Sequence, residues 1–217
     1  MEIKSAESFV AEIATLQFKN VFNPYSDICA QFDECCAADI RRDNLLIALR
    51  AVMRLRCRGL WIARDLGYRG GRRTGLAMTD EAHLSSYSTL LKTDGLRRAT
   101  RGDIVTERTA TVIWDVISSI RQPVFLWNVF PLHPYEAGDE FSNRCHTRHE
   151  RDQCRPFLEW LVKTLSPTHI VAIGRDAQNE LEEIGIRATR VRHPSYGGNR
   201  EFAAGIHELY GTNVGQA

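Results

Sequence analysis

Apolar residues along the chain follow two patterns. Helical spacing of the apolar positions predicts helices over residues 6–17, 39–57, 79–91, 107–120, 147–165, 176–184 and 199–210. Short continuous apolar runs predict buried strands over residues 59–63, 124–129, 169–173 and 188–191. Strands that alternate with helices indicate parallel βαβ units. Because no repeat, low-complexity tract or linker divides the chain, we expect one α/β domain, with a helical part at residues 1–58 and an α/β core at residues 59–211.

Polar residues suited to chemistry stand at the ends of three strand-like runs. They are Asp65, Asn128 and His193. In an open parallel sheet the ligand crevice lies outside the carboxyl ends of the strands, so we expect these side chains to face one pocket. Each also has a structural alternative. Asp65 could cap a helix or form an ion pair with Arg64 or Arg69. Asn128 could stabilise a turn, and His193 could be a core histidine.

A glycine- and arginine-rich segment follows the first of these runs. This glycine loop, residues 67–75, reads Gly-Tyr-Arg-Gly-Gly-Arg-Arg-Thr-Gly. Glycines let the backbone approach phosphates closely, and Arg69, Arg72 and Arg73 can pair with them. The loop is neither a Walker A loop nor a G-x-G-x-x-G turn. It therefore predicts a phosphate-bearing ligand without identifying which one.

Composition limits the class of protein. The chain has 217 residues, of which 43% are hydrophobic and 25% are charged, as is typical of a folded domain. The net charge of +1 does not point to a partner. The first residues lack the basic and apolar regions of a signal peptide, and no apolar run approaches the ~20 residues that span a bilayer. We expect a cytoplasmic protein with no membrane partner.

The cysteine pattern indicates free thiols. None of the six cysteines forms a C-x-x-C pair, which favours a reducing cytosol over a disulfide framework. The segment Cys145-His146-Thr147-Arg148-His149 superficially suggests a metal cluster. Its spacing matches no common zinc pattern, so we expect no metal.

Three segments at strand ends stand out together along the chain: residues 63–70, Trp127-Asn128-Val129 and His193-Pro194-Ser195. In order and spacing they resemble the motif plan of the uracil-DNA glycosylase superfamily, in a divergent bacterial-type form. The resemblance implies a single three-layer αβα domain with a central four-stranded parallel sheet. It also implies a monofunctional, cofactor-independent enzyme that flips uracil out of DNA and hydrolyses its N-glycosidic bond. The implied setting is a monomer that binds uracil-containing DNA and its abasic product in the bacterial cytoplasm, associated with the nucleoid.

The chemistry of such a reaction assigns roles to the three strand-end residues. Cleavage of the bond develops positive charge on the sugar and negative charge on the departing base. Asp65 can stabilise the sugar and activate water, and His193 can donate a hydrogen bond to O2 of uracil. Asn128 offers one acceptor and one donor, which match N3–H and O4 of uracil and mismatch cytosine.

The resemblance also assigns the rest of the base pocket. It implies that Ala63, Arg64 and Gly67 line the pocket and that Met78 replaces the aromatic residue that stacks on the flipped base. A thioether can pack on a ring face, although a plain core methionine is the alternative. The strictly uracil-specific branch has a tyrosine at the position of Gly67, where it blocks C5 of the base. Exclusion of thymine is thus an open question.

DNA contacts are expected from two loops. In the first loop they are Tyr68, Arg69, Arg72 and Arg73, and in the second they are Ser195 and Tyr196. The usual leucine wedge after His-Pro-Ser is absent, and Tyr196-Gly197-Gly198-Asn199 stands there. Two other functions stay open. One is a noncatalytic protein that holds uracil-containing or abasic DNA, and the other is an unrelated α/β enzyme that acts on free nucleotides.

Overall fold

The computed structural model describes residues 3–212 and contains a mixed α/β fold. The strands are β1 (Val21–Phe22), β2 (Gly59–Asp65), β3 (Val124–Phe130), β4 (His133–Pro134), β5 (His169–Ile173) and β6 (Thr189–Val191). The helices are α1 (Ala6–Ala14), α2 (Ala37–Arg54), α3 (Gly71–Thr74), α4 (Leu84–Leu91), α5 (Arg108–Ile120), α6 (Arg148–Leu165), α7 (Arg175–Glu183) and α8 (Asn199–Tyr210). A short 3₁₀ helix, Glu81–His83, precedes α4.

The central sheet has four parallel strands in the order β3-β2-β5-β6. The first five residues of β2 and all seven of β3 are buried, which is typical of parallel strands covered on both faces. The carboxyl ends of the strands therefore meet at one edge. In the register of β2 and β3, Ala63 pairs with Asn128 and Asp65 pairs with Phe130.

Helices cover both faces of the sheet. Side chains of neighbouring strand residues alternate between the faces, so Trp61 and Trp127 point in opposite directions. Trp61 packs edge-on against Phe202 of α8. Trp127 packs against Phe9 of α1, which in turn contacts Phe157 of α6. This arrangement is the predicted three-layer fold with a four-stranded parallel sheet, and it confirms that expectation.

The N-terminal helices share one hydrophobic core with the sheet. Helix α1 begins at a capping box in which Ser5 accepts a hydrogen bond from the Ser8 backbone N–H. Arg41 of α2 is fully buried and donates from Nε to the Arg73 carbonyl at 3.2 Å. Tyr25 donates from its hydroxyl to the Gly75 carbonyl at 3.0 Å. Tyr25 and Arg41 of the N-terminal part thus hold the backbone of the glycine loop in place.

The structure differs from the predicted elements in three places. Strands β1 and β4 pair antiparallel, but each has two residues, too few to show a period. The predicted helix at 79–91 is divided because Asp80 caps a 3₁₀ turn through the His83 N–H. Helix α3 forms inside the glycine loop, where no helix is predicted. Helix α6, by contrast, continues through Pro156 as the prediction of a helix over residues 147–165 requires. Within residues 3–212, none of the helices combines the length and apolarity needed to span a membrane.

Candidate active site

Asp65 ends strand β2 and is held by two basic side chains. Its Oδ2 atom accepts a hydrogen bond from Arg64 Nε at 2.6 Å. Its Oδ1 atom contacts His146 Nδ1 and lies 3.3 Å from the His146 backbone nitrogen. The side chain is only 9% exposed. Each carboxylate oxygen has two lone-pair directions, so this side chain can still accept a proton or a further hydrogen bond.

His146 is a site residue that the sequence patterns did not assign. Its side chain is 2% exposed, and its Nε2 atom has no hydrogen-bond partner and lies 3.7 Å from Glu180. The residue precedes the capping box of α6, in which Thr147 and Glu150 bond reciprocally and fix the chain direction. In residues 3–212, no three His, Cys, Asp or Glu side chains are grouped as they would be around a metal ion. His146 faces Asp65, and all six cysteines are free thiols.

Asn128 lies inside strand β3 and is 1% exposed. Its Nδ2 atom donates to the Asp65 backbone carbonyl at 2.9 Å, which fixes the orientation of the amide. Its Oδ1 atom is buried and has no hydrogen-bond partner. A buried polar atom without a partner costs free energy, so such an atom is a candidate for binding a ligand donor.

His193 lies in the histidine loop, residues 192–198, between β6 and α8. The Ser195 backbone N–H donates to His193 Nδ1 at 3.1 Å, so Nδ1 is an acceptor and the proton of the neutral ring is on Nε2. Burial lowers the pKa of His193, and the positive charges of Arg64 and Arg192 lower it further. The His193 ring is therefore neutral and presents an Nε2–H donor.

The carboxyl ends of the strands bring His193 toward Asp65. A Cβ atom built on Gly174, which follows β5, would lie 3.2 Å from the His193 Cβ atom. Gly174 also has φ of +91°, a conformation that favours glycine. Arg64 forms ion pairs with Asp65 and with Asp176, and its charge acts on His193. The three strand-end residues therefore belong to one edge of the sheet.

Two arginines of the glycine loop lie inside the protein. Arg72 is fully buried, and its guanidinium carbon lies 4.0 Å from the centre of the Phe22 ring. Arg73 is 6% exposed, lies 4.2 Å from the centre of the Phe32 ring, and pairs with Glu81 at 3.4 Å. This burial argues against the expectation that Arg72 and Arg73 contact phosphates. Arg69 is exposed.

Of the remaining expected site residues, some are buried and others lie at or near the surface. Ala63 and Met78 are buried, and Met78 has the left-handed φ of +51°, which is strained for a residue with a side chain. Ser195 Oγ lies 2.8 Å from His193 Nδ1. Tyr196 is 98% exposed and has φ of +52°. Tyr68 is half-buried, and its hydroxyl accepts a hydrogen bond from Arg69 at 2.8 Å.

Comparisons with known proteins place this geometry in a family. The family model of the uracil DNA glycosylase superfamily matches residues 68–208. The crystal structure of wild-type Pedobacter heparinus SMUG2 is similar, with a TM-score of 0.63 and 12% sequence identity, over 96% of this chain and 98% of that chain. That likeness concerns the fold. No curated protein matches the sequence. The match to the family model confirms the predicted superfamily: the chain belongs to the uracil DNA glycosylase superfamily.

Proposed function

We propose that the protein is a monofunctional DNA repair glycosylase that excises uracil from DNA and leaves an abasic site. One observation carries the proposal. The buried Asn128 Oδ1 acceptor without a partner lies at the same sheet edge as the Asp65 carboxylate and the neutral His193 ring. An acceptor for N3–H, a carboxylate for the sugar and a donor for O2 together suit uracil better than cytosine, which has no N3–H.

The proposed reaction uses water and these side chains. Because a base in a duplex cannot reach Asp65, the nucleotide must first be flipped out of the stack. Water then bonds to the sugar C1′ atom and gives its proton to the Asp65 carboxylate. The C1′–N1 bond breaks, and its electron pair leaves with the base. His193 Nε2–H stabilises the negative charge that develops on O2.

Partners of Asp65 support its role. Arg64 and His146 hold the two carboxylate oxygens in fixed directions, so the group needs no reorganisation when positive charge develops on the sugar. We expect Ala63 and Met78 to form walls of the base pocket beside Gly67. DNA contacts in the proposal come from Tyr68, Arg69, Ser195 and Tyr196. We expect the protein to act as a monomer in the bacterial cytoplasm, associated with the nucleoid.

A second candidate is a noncatalytic protein that holds uracil-containing or abasic DNA. The contacts of the Asp65 carboxylate with two basic side chains favour it, because Arg64 and His146 occupy acceptor positions that an attacking water would otherwise use. This candidate predicts tight binding without release of the base.

Base release from defined oligonucleotides tests the proposal. Labelled strands carry one uracil, one mismatched thymine or one hypoxanthine, and alkali then cleaves abasic sites. We expect cleavage at uracil, a loss of about 10²–10⁴-fold in Asp65→Asn, and a loss of about 10²–10³-fold in His193→Ala. Asn128→Ala should weaken release as well. Asp115→Asn, an exposed change on α5, is the matched control and should act as the wild type.

The opposite result is equally clear. No product from any of the three bases would reject the glycosylase, and a gel shift on abasic DNA would then support the second candidate.

A further inference from the structure

Two glycines of the glycine loop lie against one carboxyl group, that of Glu107. A Cβ atom built on Gly67 would lie 2.9 Å from Glu107 Oε1, and one built on Gly70 would overlap Glu107 Oε2. Neither glycine has a positive φ, so a left-handed backbone does not explain the lack of a side chain at either position. The carboxyl end of Glu107 lies in the space that a side chain there would occupy.

Glu107 reaches this position from the start of α5. It is the N-cap residue of that helix, but its side chain makes no capping hydrogen bond. Its backbone N–H donates to Asp80 Oδ2 at 2.6 Å, which fixes the backbone while the side chain extends over the loop. In the part of the chain from residue 3 to residue 212, the Glu107 carboxylate accepts no hydrogen bond and forms no ion pair.

Neighbouring carboxylates behave differently. Asp80 binds both the His83 ring and the Glu107 N–H, and Glu81 binds Arg73 and the Val105 N–H. Those groups have the partners expected of structural carboxylates. Burial raises the pKa of Glu107 to about 7, and the charge of Asp80 adds to this effect while Arg69 opposes it. Glu107 is partly exposed, so its carboxyl group can meet solvent or a ligand instead of a protein partner.

The geometry of a pyrimidine provides one. In the proposed complex, the sugar carbon lies at Asp65, O2 at His193, and N3 and O4 at Asn128. The remaining edge of the ring carries C5 and C6, on the side opposite O2. In that complex the chain from Asp65 to Gly70 would form the remaining wall, and the Glu107 carboxyl group lies against the two glycines of this segment.

We propose that the Glu107 carboxyl group closes the C5 side of the base pocket and thereby determines which pyrimidine is excised, an inference that rests on the proposed glycosylase function. Uracil has only a hydrogen atom at C5. The methyl group of thymine would collide with the carboxyl group and bury it against an apolar surface, which is unfavourable. Glycine at position 67 and glutamate at position 107 thus act together as one barrier.

Single-turnover release of uracil and of thymine from otherwise identical mismatched duplexes tests the barrier. We expect Glu107→Ala to raise the rate on thymine relative to uracil by about 10–100-fold, the discrimination typical of one methyl-sized change in a pocket. Glu107→Gln keeps the size of the group and should keep the exclusion. Glu182→Ala, an exposed change on α7, is the matched control and should leave the ratio unchanged.

The failures can be told apart. If the wild type releases uracil and Glu107→Ala leaves the thymine-to-uracil ratio unchanged, this inference is overturned and the glycosylase stands. If the wild type releases no uracil, the proposed function is overturned and this inference with it.

Thermal unfolding checks the contact without relying on activity. Gly67→Ala should lower the Tm of the wild type more than that of Glu107→Ala, because the added methyl group then has no carboxyl group to displace. Equal shifts in the two backgrounds would overturn the contact.

Discussion

The glycine loop and the histidine loop both border the candidate site, but they are built in opposite ways. From Gly70 to Asp80 every residue is buried, and Arg72 and Arg73 lie among aromatic rings. In the histidine loop, Tyr196 is 98% exposed and two consecutive residues, Tyr196 and Gly197, have positive φ. The first loop is packed as a wall, and the second extends into solvent. Their charges and exposure therefore predict different consequences of mutation.

The largest loss of stability is expected in the buried part of the glycine loop. Arg73→Ala removes one of the two arginines that pair with the buried Glu81 carboxylate and leaves Arg98 at 3.6 Å, and it also removes the 3.1 Å hydrogen bond to Thr100. Loss of one partner of a buried ion pair typically lowers the free energy of unfolding by about 3–5 kcal/mol, and the pairing that Arg98 retains places the expected loss at the lower end of that range. Urea unfolding measures it. Arg69→Ala, the exposed control in the same loop, should stay within about 0.5 kcal/mol of the wild type. If Arg73→Ala lowers the free energy of unfolding by less than about 1 kcal/mol, the Arg73–Glu81 ion pair is not buried in solution.

A smaller effect on stability is expected from Glu107, which lies against Gly67 and Gly70. Because the pKa of Glu107 in the folded protein is about 7, above its ordinary value of 4.5, ionisation opposes folding. The stability of the wild type should fall as pH rises from 4.5 to 7, whereas Glu107→Gln lacks this loss. With ~1.4 kcal/mol per pKa unit, the free energy of unfolding of the variant, relative to that of the wild type, should rise by up to about 3 kcal/mol from pH 4.5 to pH 8. Parallel curves of Tm against pH would contradict the raised pKa.

The same contrast explains what the sequence could predict. Asp65, Asn128 and His193 follow from the parallel sheet, because the carboxyl ends of its strands share an edge whatever the loops do. Whether the side chains of Arg72 and Arg73 are buried depends on Phe22, Phe32 and other residues that are distant in sequence, so no local pattern predicts it. A glycine- and arginine-rich loop therefore looks the same whether its arginines face phosphate or the core.

His146 and the proposed pocket residue Glu107 needed the structure for a related reason. His146 could be noticed among nearby cysteine and histidine residues, but its contact with Asp65 spans 81 positions of the chain. Glu107 stands at a helix start, where an acidic residue is ordinary. Only its approach to Gly67 and Gly70 sets it apart. Contacts across long sequence separations lie beyond a reading of periodicity and motifs.

In the exposed loop, mutation should change DNA binding rather than folding. Tyr196→Ala removes the ring that is available to stack on a base or fill the gap of a flipped nucleotide. Stacking of one base on an aromatic side chain contributes about 1–3 kcal/mol. We expect about a tenfold loss of binding to duplex DNA that contains uracil, with Tm unchanged. Tyr196→Phe keeps the ring and should restore binding. Equal affinity of the alanine and phenylalanine variants for duplex DNA would show that the ring has no contact.

The smallest effect is a change in how DNA affinity depends on salt concentration. It distinguishes the exposed Arg69 from the buried Arg72. Each phosphate contact contributes about −0.9 to the slope of log K against log salt concentration on duplex DNA. Arg69→Ala should make that slope shallower by about one contact. Arg72→Met should leave the slope of the folded protein unchanged, because the Arg72 side chain is fully buried and lies against Phe22 and Phe141. Fluorescence anisotropy at several salt concentrations measures both. A shallower slope in Arg72→Met would mean that the wall opens on DNA, and the division between the two loops would then hold for the free protein alone.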